Sequence, residues 1–255
     1  MECAALSEMT VRLFYLYGMK KVSVFIDGYN LYHAIDNLKK PHLKWVNLFG
    51  LAREFAKADS FEIIRVKFFT APPIHKSEAI QKRYSTYISA LKYCGVEIVE
   101  GKFKKKFLTY KDPAGNTFEK ETHEEKESDV NIALAILEDA FEKTSDKLLV
   151  ITNDSDISPA IRLARTKNPN LKINVITPPI QSKYANYDLM NACGDINKNK
   201  AGQVYYRTRM ISENHLVNNL LPEQIIVDGK VKVVLPKEYK TSLMPSLEIL
   251  NIFSS

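Results

Sequence analysis

Apolar residues follow two rhythms along this chain. Short, continuous runs rich in β-branched residues occupy 21–26, 61–70, 96–99, 148–152 and 172–176, and read as strands buried on both faces. Between them, apolar positions recur at three- and four-residue spacing over 30–38, 46–57, 76–94, 128–141 and 158–166, which predicts helices. Ile80, Tyr84, Tyr87, Ile88 and Leu91 mark one side of the third of these, and Gly95 breaks it. Strands alternating with helices predict an α/β fold, a parallel sheet with helices on both faces. After Pro178-Pro179 the pattern predicts helices over 187–193 and 192–198, then a β-hairpin over 224–236 around Asp228-Gly229.

The rhythm changes between 101 and 122. Lysines alternate with aromatics from Lys102 to Phe107, and turn residues follow at 112–116, so the stretch reads either as a β-ribbon or as a flexible loop. An acidic run, EKETHEEKE over 119–127, then leads into the helix at 128–141, with Ser128 as its expected N-cap.

Composition adds bounds. The 255 residues suit one α/β domain with a small C-terminal appendage: a core domain over 19–180, helices and a hairpin packed on it over 181–240, and a tail over 241–255. A surplus of 36 Lys+Arg over 30 Asp+Glu is compatible with a polyanionic partner and equally with an ordinary solvated surface. Cys3, Cys94 and Cys193 show no metal-type spacing, which argues against zinc and for reduced thiols in a cytoplasmic setting. No apolar run reaches the length of a membrane span. Residues 1–18 fit a secretory signal poorly, and are either an added element or a mis-assigned extension before a true start at Met19.

Candidate chemistry gathers where apolar runs stop. Asp27 ends the first strand, Asp154 and Asp156 follow the fourth, and Asp129 opens a helix. Each has a local structural reading: Asp27-Gly28 as a turn, Asp154-Ser155-Asp156 as a helix cap, and Asp129 as a first-turn acid favoured by the macrodipole. Placed together at the C-terminal edge of one sheet, they repel one another unless a cation joins them. Hard cations, Mg²⁺ or Mn²⁺, favour such oxygen ligands, and the chemistry they suit is hydrolysis of phosphate esters.

Phe25-Ile26-Asp27-Gly28-Tyr29-Asn30, the run from Lys126 to Ala133, and Asn153-Asp154-Ser155-Asp156 resemble the NYN domain, a branch of the PIN-like nucleases. Phe68-Phe69-Thr70-Ala71, residues 81–91, the run from Gly95 to Phe103 and Ile161-Arg162-Leu163-Ala164-Arg165 extend the likeness over about residues 20–237. The resemblance implies a Rossmann-like PIN fold and Mg²⁺- or Mn²⁺-dependent endoribonuclease activity. Asp27 would be the central metal ligand, Asp154 and Asp156 would complete the site, and Asp129 would hold a metal or its water. Asn30, Asn153 and Glu127 are second-tier candidates, Glu127 as a substitute for Asp129 and Asn30 equally as a helix cap.

Lys102, Lys104, Lys105 and Lys106, interleaved with aromatics, suit tracking of a single-stranded or structured RNA, or act only to blunt a strand edge. Arg162 and Arg165 are further candidates for substrate contact or plain surface charges. His33, His75 and His123 have no ligand or triad spacing and read as surface or core residues. Asp139, ten residues beyond Asp129 on one helix, lies too far to share a metal and suits a structural or partner role. Competing readings are a silent RNA- or protein-binding module and a DNA-directed PIN-like nuclease, and a homo-oligomer stays open. An aspartyl-phosphate phosphatase would need a second Asp two residues after the first, and Tyr29 stands there.

Overall fold

The computed structural model describes residues 20–57, 61–111, 113, 115–179, 186–194, 196–198, 204–206 and 209–244. The readings of residues 1–19 and of the end of the tail lie outside these. The elements in chain order are β1 (Lys21–Asp27), α1 (Gly28–Asn37), α2 (Leu48–Lys57), β2 (Glu62–Thr70), α3 (Glu78–Tyr93), β3 (Val96–Glu100), β4 (Lys102–Lys111) and β5 (Thr117–Lys126). They continue with α4 (Ser128–Glu142), β6 (Lys147–Ile151), α5 (Ser158–Lys167), β7 (Lys172–Thr177), α6 (Tyr187–Cys193), β8 (Ile196–Lys198) and β9 (Val204–Tyr206). The last are β10 (Arg209–Met210), α7 (Glu213–Asn218), β11 (Gln224–Val227) and β12 (Lys230–Val234).

Six strands form one parallel sheet in the order β10-β7-β6-β1-β2-β3. The winding departs from β1 in both directions, so the crevice between the C-terminal ends of β1 and β6 is the topological switch point, where open α/β sheets bind ligands. Alternation along β1 builds the two faces. Val22, Val24 and Ile26 pack with residues of α1, α2 and α3 in one core layer. Phe25 points the other way, into a layer made with α4, α5 and α6. Neither layer tolerates charge without a partner, and Asp139 of α4 shows how one is met. It is fully buried and accepts bonds from Ser23 Oγ at 2.7 Å, Ser145 Oγ at 2.6 Å and the Ser145 backbone N–H at 3.3 Å. Its role is structural.

The C-terminal segment closes one flank. Trp45, Ala90, Cys94, Leu221, Ile225, Val233 and Leu235 form a third cluster, and Trp45 Nε1 donates to the Pro222 carbonyl at 3.1 Å. The β11–β12 hairpin is therefore seated on α3.

The stretch after 101 is a β-ribbon, and two local expectations need correction. The acidic run leads into α4 as a strand. It is the second strand of an antiparallel ribbon, with β5 paired to β4 from Lys102↔Lys126 to Lys111↔Thr117. Lys105 and Lys106 of β4 pair diagonally with Glu121 and Glu124 of β5, so a segment with little helical apolar rhythm gains strand pairing instead. Ser128 is the first residue of α4 rather than its cap. Glu127 precedes it with φ of 79°, a left-handed conformation that turns the ribbon sharply into the helix. Finally, the helix predicted over 192–198 does not form, since α6 stops at Cys193. Gly194 ends it with φ of 69°, and β8 follows, paired with β9.

Asp139→Ala removes the acceptor for three buried donors, so it is expected to destabilise the fold by about 2–3 kcal/mol. Urea unfolding followed by circular dichroism measures it. An unchanged midpoint would show that the Ser23 and Ser145 hydroxyls find other partners.

Candidate active site

Asp27 is 3 % exposed at the end of β1. Its Oδ1 accepts from the Asn30 backbone N–H at 2.9 Å and so caps α1, while its Oδ2 accepts from Thr152 Oγ1 at 2.8 Å across the switch-point crevice. Asp27-Gly28 is a close contact between elements rather than a turn. A Cβ on Gly28 would lie 2.5 Å from the Phe69 carbonyl oxygen and 2.7 Å from the Phe68 ring, so only glycine lets α1 leave β1 this close to β2.

A chain of bonds continues from there. Thr152 Oγ1 accepts from the Asp154 N–H at 3.0 Å, Asp154 Oδ1 from the Asp156 N–H at 2.9 Å, and Asn30 Oδ1 from the Asn153 N–H at 3.0 Å. Asn153 Oδ1 in turn accepts from the Asn186 N–H at 2.9 Å. Asn30 and Asn153 thus set the backbone of the loop carrying Asp154.

Asp27, Asp129 and Asp154 line one cleft of about 350 Å³, and Asn30 lies with them. Asp156 is exposed; its charge acts on Asp129. Glu127 is turned outward and pairs with Lys102. Its neighbour Glu125, on β5, lines the cleft and accepts from Ser128 Oγ. Glu125 was not among the expected acids. Its signal was faint: the Phe103↔Glu125 pairing places it on the inward face of the ribbon, but that face is defined only once β4 and β5 are paired.

Electrostatics bind these acids into one group. Burial pushes the Asp27 carboxyl up to about 6, against the two hydrogen bonds that favour its charge, with help from Asp129 and Asp154. Burial likewise pushes Glu125 up to about 7, aided by Asp27 and Asp129 and opposed by Ser128. Asp129 is raised by burial and by Asp154 and Asp156.

Among the described residues, no three His, Cys, Asp or Glu side chains converge closely enough to hold a metal ion by themselves. The donor set nevertheless fits a hard cation that keeps several of its waters, which one or two carboxylates suffice to hold. All the donors are carboxylate oxygens, and their mutual repulsion is what such a charge would relieve.

The basic residues are largely engaged. Lys105 pairs with Glu121 at 2.7 Å and Lys106 with Glu124 at 3.2 Å, while Lys104 stands opposite Glu124 in the ribbon. Lys106 also lines the cleft. Arg165 donates to the Ala192 carbonyl at 2.8 Å and covers Gly194, so it ties α5 to α6 at the surface; Arg162 and Arg165 are both exposed. Two of the histidines pack together. His75 and His123 stack with ring centroids 4.3 Å apart, and His75 packs edge-on against Phe103 at 4.5 Å.

The NYN domain model matches residues 21–197, which contain every acid of the cleft. The chain belongs to the NYN domain family. Its six-stranded parallel sheet flanked by helices is the PIN-like α/β arrangement. The chain is also 30% identical over 250 residues to 6-hydroxy-3-succinoylpyridine 3-monooxygenase HspA of Pseudomonas putida (strain DSM 28022 / S16), covering 86% of this chain and 75% of that one. A crystal structure of a protein of unknown function from Vibrio parahaemolyticus RIMD 2210633 aligns with a TM-score of 0.45 at 16% identity, over 80% of this chain and 97% of that one. No helix among the described residues of this NYN protein is long and apolar enough to cross a membrane.

The raised carboxyls make stability depend on pH. Asp27 and Glu125 have folded values of about 6 and 7, above their ordinary 3.8 and 4.5. Across that window the folded chain holds more protons than the unfolded chain, so these groups lower stability as pH rises through it. Asp27→Asn is therefore expected to raise the metal-free melting temperature by about 2–4 °C at pH 8. The gain should be smaller at pH 5, where the wild-type carboxyl keeps its proton. Calorimetry in a chelator at both pH values tests this; equal shifts would count against a buried, ionising Asp27.

Proposed function

We propose that this NYN protein is a Mg²⁺- or Mn²⁺-dependent nuclease that hydrolyses RNA phosphodiesters at the cleft between β1 and β6. The observation that carries the reading is the mutually repelling set Asp27, Glu125, Asp129 and Asp154 at the switch point of the sheet. Asp27 would be the central ligand, held in one orientation by the Asn30 N–H and Thr152 Oγ1. Asp129 and Asp154 would complete the site, with Asp156 acting from outside it. The cation, when bound, supplies Lewis-acid polarisation of the phosphate and a lower pKa for an attacking water.

Glu125 has a separate role. A carboxyl near 7 is matched to accepting a proton from water at neutral pH, and Ser128 fixes the oxygen that does not take it. The Asn153 amide holds the loop that carries Asp154. Exposed lysines of the ribbon would meet the phosphates on either side of the scissile bond. Support for RNA over DNA comes from the family likeness alone.

A second reading is turnover of a small heteroaromatic compound, the class printed in the name of the P. putida relative. What favours it is a cavity of about 660 Å³ beside the cleft, walled mainly by aromatic and apolar side chains.

Asp27→Asn should lower metal-dependent cleavage of labelled RNA by more than about a hundredfold without loss of the fold. Wild-type rates in a contamination-controlled preparation of the variant would refute the nuclease reading.

The lysines should matter less than their number suggests. Four free lysines on a single strand would change the salt slope by about 3, at roughly 0.7 per phosphate. Because Lys102, Lys105 and Lys106 are paired with Glu127, Glu121 and Glu124, their joint replacement with Lys104 by alanine should change the slope by less. Filter binding across a salt series measures it. A full change of about 3 would show that RNA displaces the glutamates.

A further inference from the structure

The β4–β5 ribbon carries its charge unevenly. Its pairing runs without a break from Lys102↔Lys126 to Lys111↔Thr117, so side chains alternate from one face to the other. One face holds Lys105 and Lys111 against Glu119, Glu121 and Glu125. The other holds Lys102, Lys104, Lys106, Lys120 and Lys126 against Glu124. The whole basic surplus of the ribbon is therefore on one side.

That basic face is the one that walls the acid cleft. Lys106, Leu108, Thr122, Glu124 and Lys126 all lie on it and line that space. Glu124 is shared between Lys106 at 3.2 Å and Lys126 at 3.0 Å, and Lys102 is turned to Glu127. Lys104 and Lys120 have no ion-pair partner among the described residues.

Farther from the cleft the same face becomes aromatic. Tyr110 and Phe118 are direct cross-strand partners, two residues beyond the Leu108↔Lys120 pair, a step of about 7 Å. Leu108, Tyr110 and Phe118 are all exposed, and none belongs to a core cluster. A contiguous exposed patch of this kind marks an interaction site. Phe103 and Phe107, the other aromatics of β4, face the opposite way, with the Lys105 ammonium 5.2 Å from the centre of the Phe107 ring.

We infer that this face of the ribbon binds an unpaired nucleic-acid strand where it leaves the acid cleft, with phosphates on Lys104, Lys106 and Lys120 and a base stacked on Tyr110 and Phe118. The lysines select a polyanion, and the rings select one whose bases are free to stack. A duplex keeps its bases stacked on one another and offers only its backbone. A second copy of this chain would set the same lysines against one another in a symmetric contact through this face. The acidic strand β5 thus supplies half of the platform, through Phe118 and Lys120. The inference rests on the nuclease reading for the route of the strand into the cleft.

Fluorescence anisotropy of a labelled oligouridylate of about 12 nucleotides tests it on the full chain, in a chelator so that no cleavage intervenes. Tyr110→Leu combined with Phe118→Leu keeps apolar bulk across the strand pair and removes both π faces, so binding should weaken about tenfold. Tyr110→Phe alone keeps the ring and should lose no affinity. Phe107→Ala, on the opposite face, should also bind as wild type does. Lys104→Ala with Lys120→Ala should lower the salt slope by about 1.4, at roughly 0.7 per phosphate. Absence of binding by the wild type, wild-type affinity in the leucine pair, or an equal loss in Phe107→Ala would overturn the inference. So would a wild-type dimer in sedimentation that the leucine pair abolishes while RNA binding stays, since the rings would then meet a second copy. Binding that depends on this face, without metal-dependent cleavage, would instead count against the nuclease reading alone.

Discussion

Burial of one carboxylate at the end of the central strand constrains much of this molecule. Asp27 needs two donors in a layer that otherwise holds apolar side chains, and it finds them on different elements. The Asn30 N–H starts α1, and the Thr152 hydroxyl ends β6. Satisfying one charge therefore fixes how the first helix leaves the sheet and how the neighbouring strand terminates. Thr152 passes the constraint on by accepting from Asp154, and Asn30 does the same through Asn153. Geometry at the switch point is thus set by a connected network rather than by loop chance. Its cost is visible in the raised Asp27 carboxyl, since even two hydrogen bonds do not offset desolvation.

The β4–β5 ribbon answers a different demand. It stands apart from the parallel sheet, so it has no hydrophobic core of its own on both faces. Cross-strand ion pairs supply complementarity instead, each worth little in water but acting together along ten paired positions. What anchors the ribbon is its inward face, where Phe103 meets His75 and His123 stacks on the same imidazole. The sharp left-handed turn at Glu127 then carries the chain into α4 beside Asp129. A non-glycine residue in that conformation costs about 1 kcal/mol or more and persists only where its surroundings impose it. Here they are the Lys102 ion pair and the Ser128–Glu125 bond, both within one turn of the cleft.

The α/β class, the main strands and helices, and the strand-end position of Asp27 and Asp154 were legible because each depends on local pattern. Continuous β-branched runs do not need a partner to be recognised, and an acid that ends one is conspicuous. The ribbon was only half legible. Its charge alternation resembles a solvated acidic segment until the facing strand is known, so the run over 119–127 could not be assigned to pairing from its own composition. Glu125 was lost with it. Which of two acids two residues apart faces a cleft depends on strand register and on the backbone turn at Glu127, neither of which spacing encodes. The tie made by Arg165 was not legible either: the Ala192 carbonyl that it meets lies 27 residues away on another helix, which spacing does not encode.

The two cavities share a wall. Glu125 borders both spaces, and its raised carboxyl responds to Asp27 and Asp129 on the acid side. Burial is the larger cause, so exclusion of water from its other side would disfavour the charged form further. The residue that best links the cleft to its neighbour is thus a single glutamate on the ribbon, held by a single serine at the start of α4.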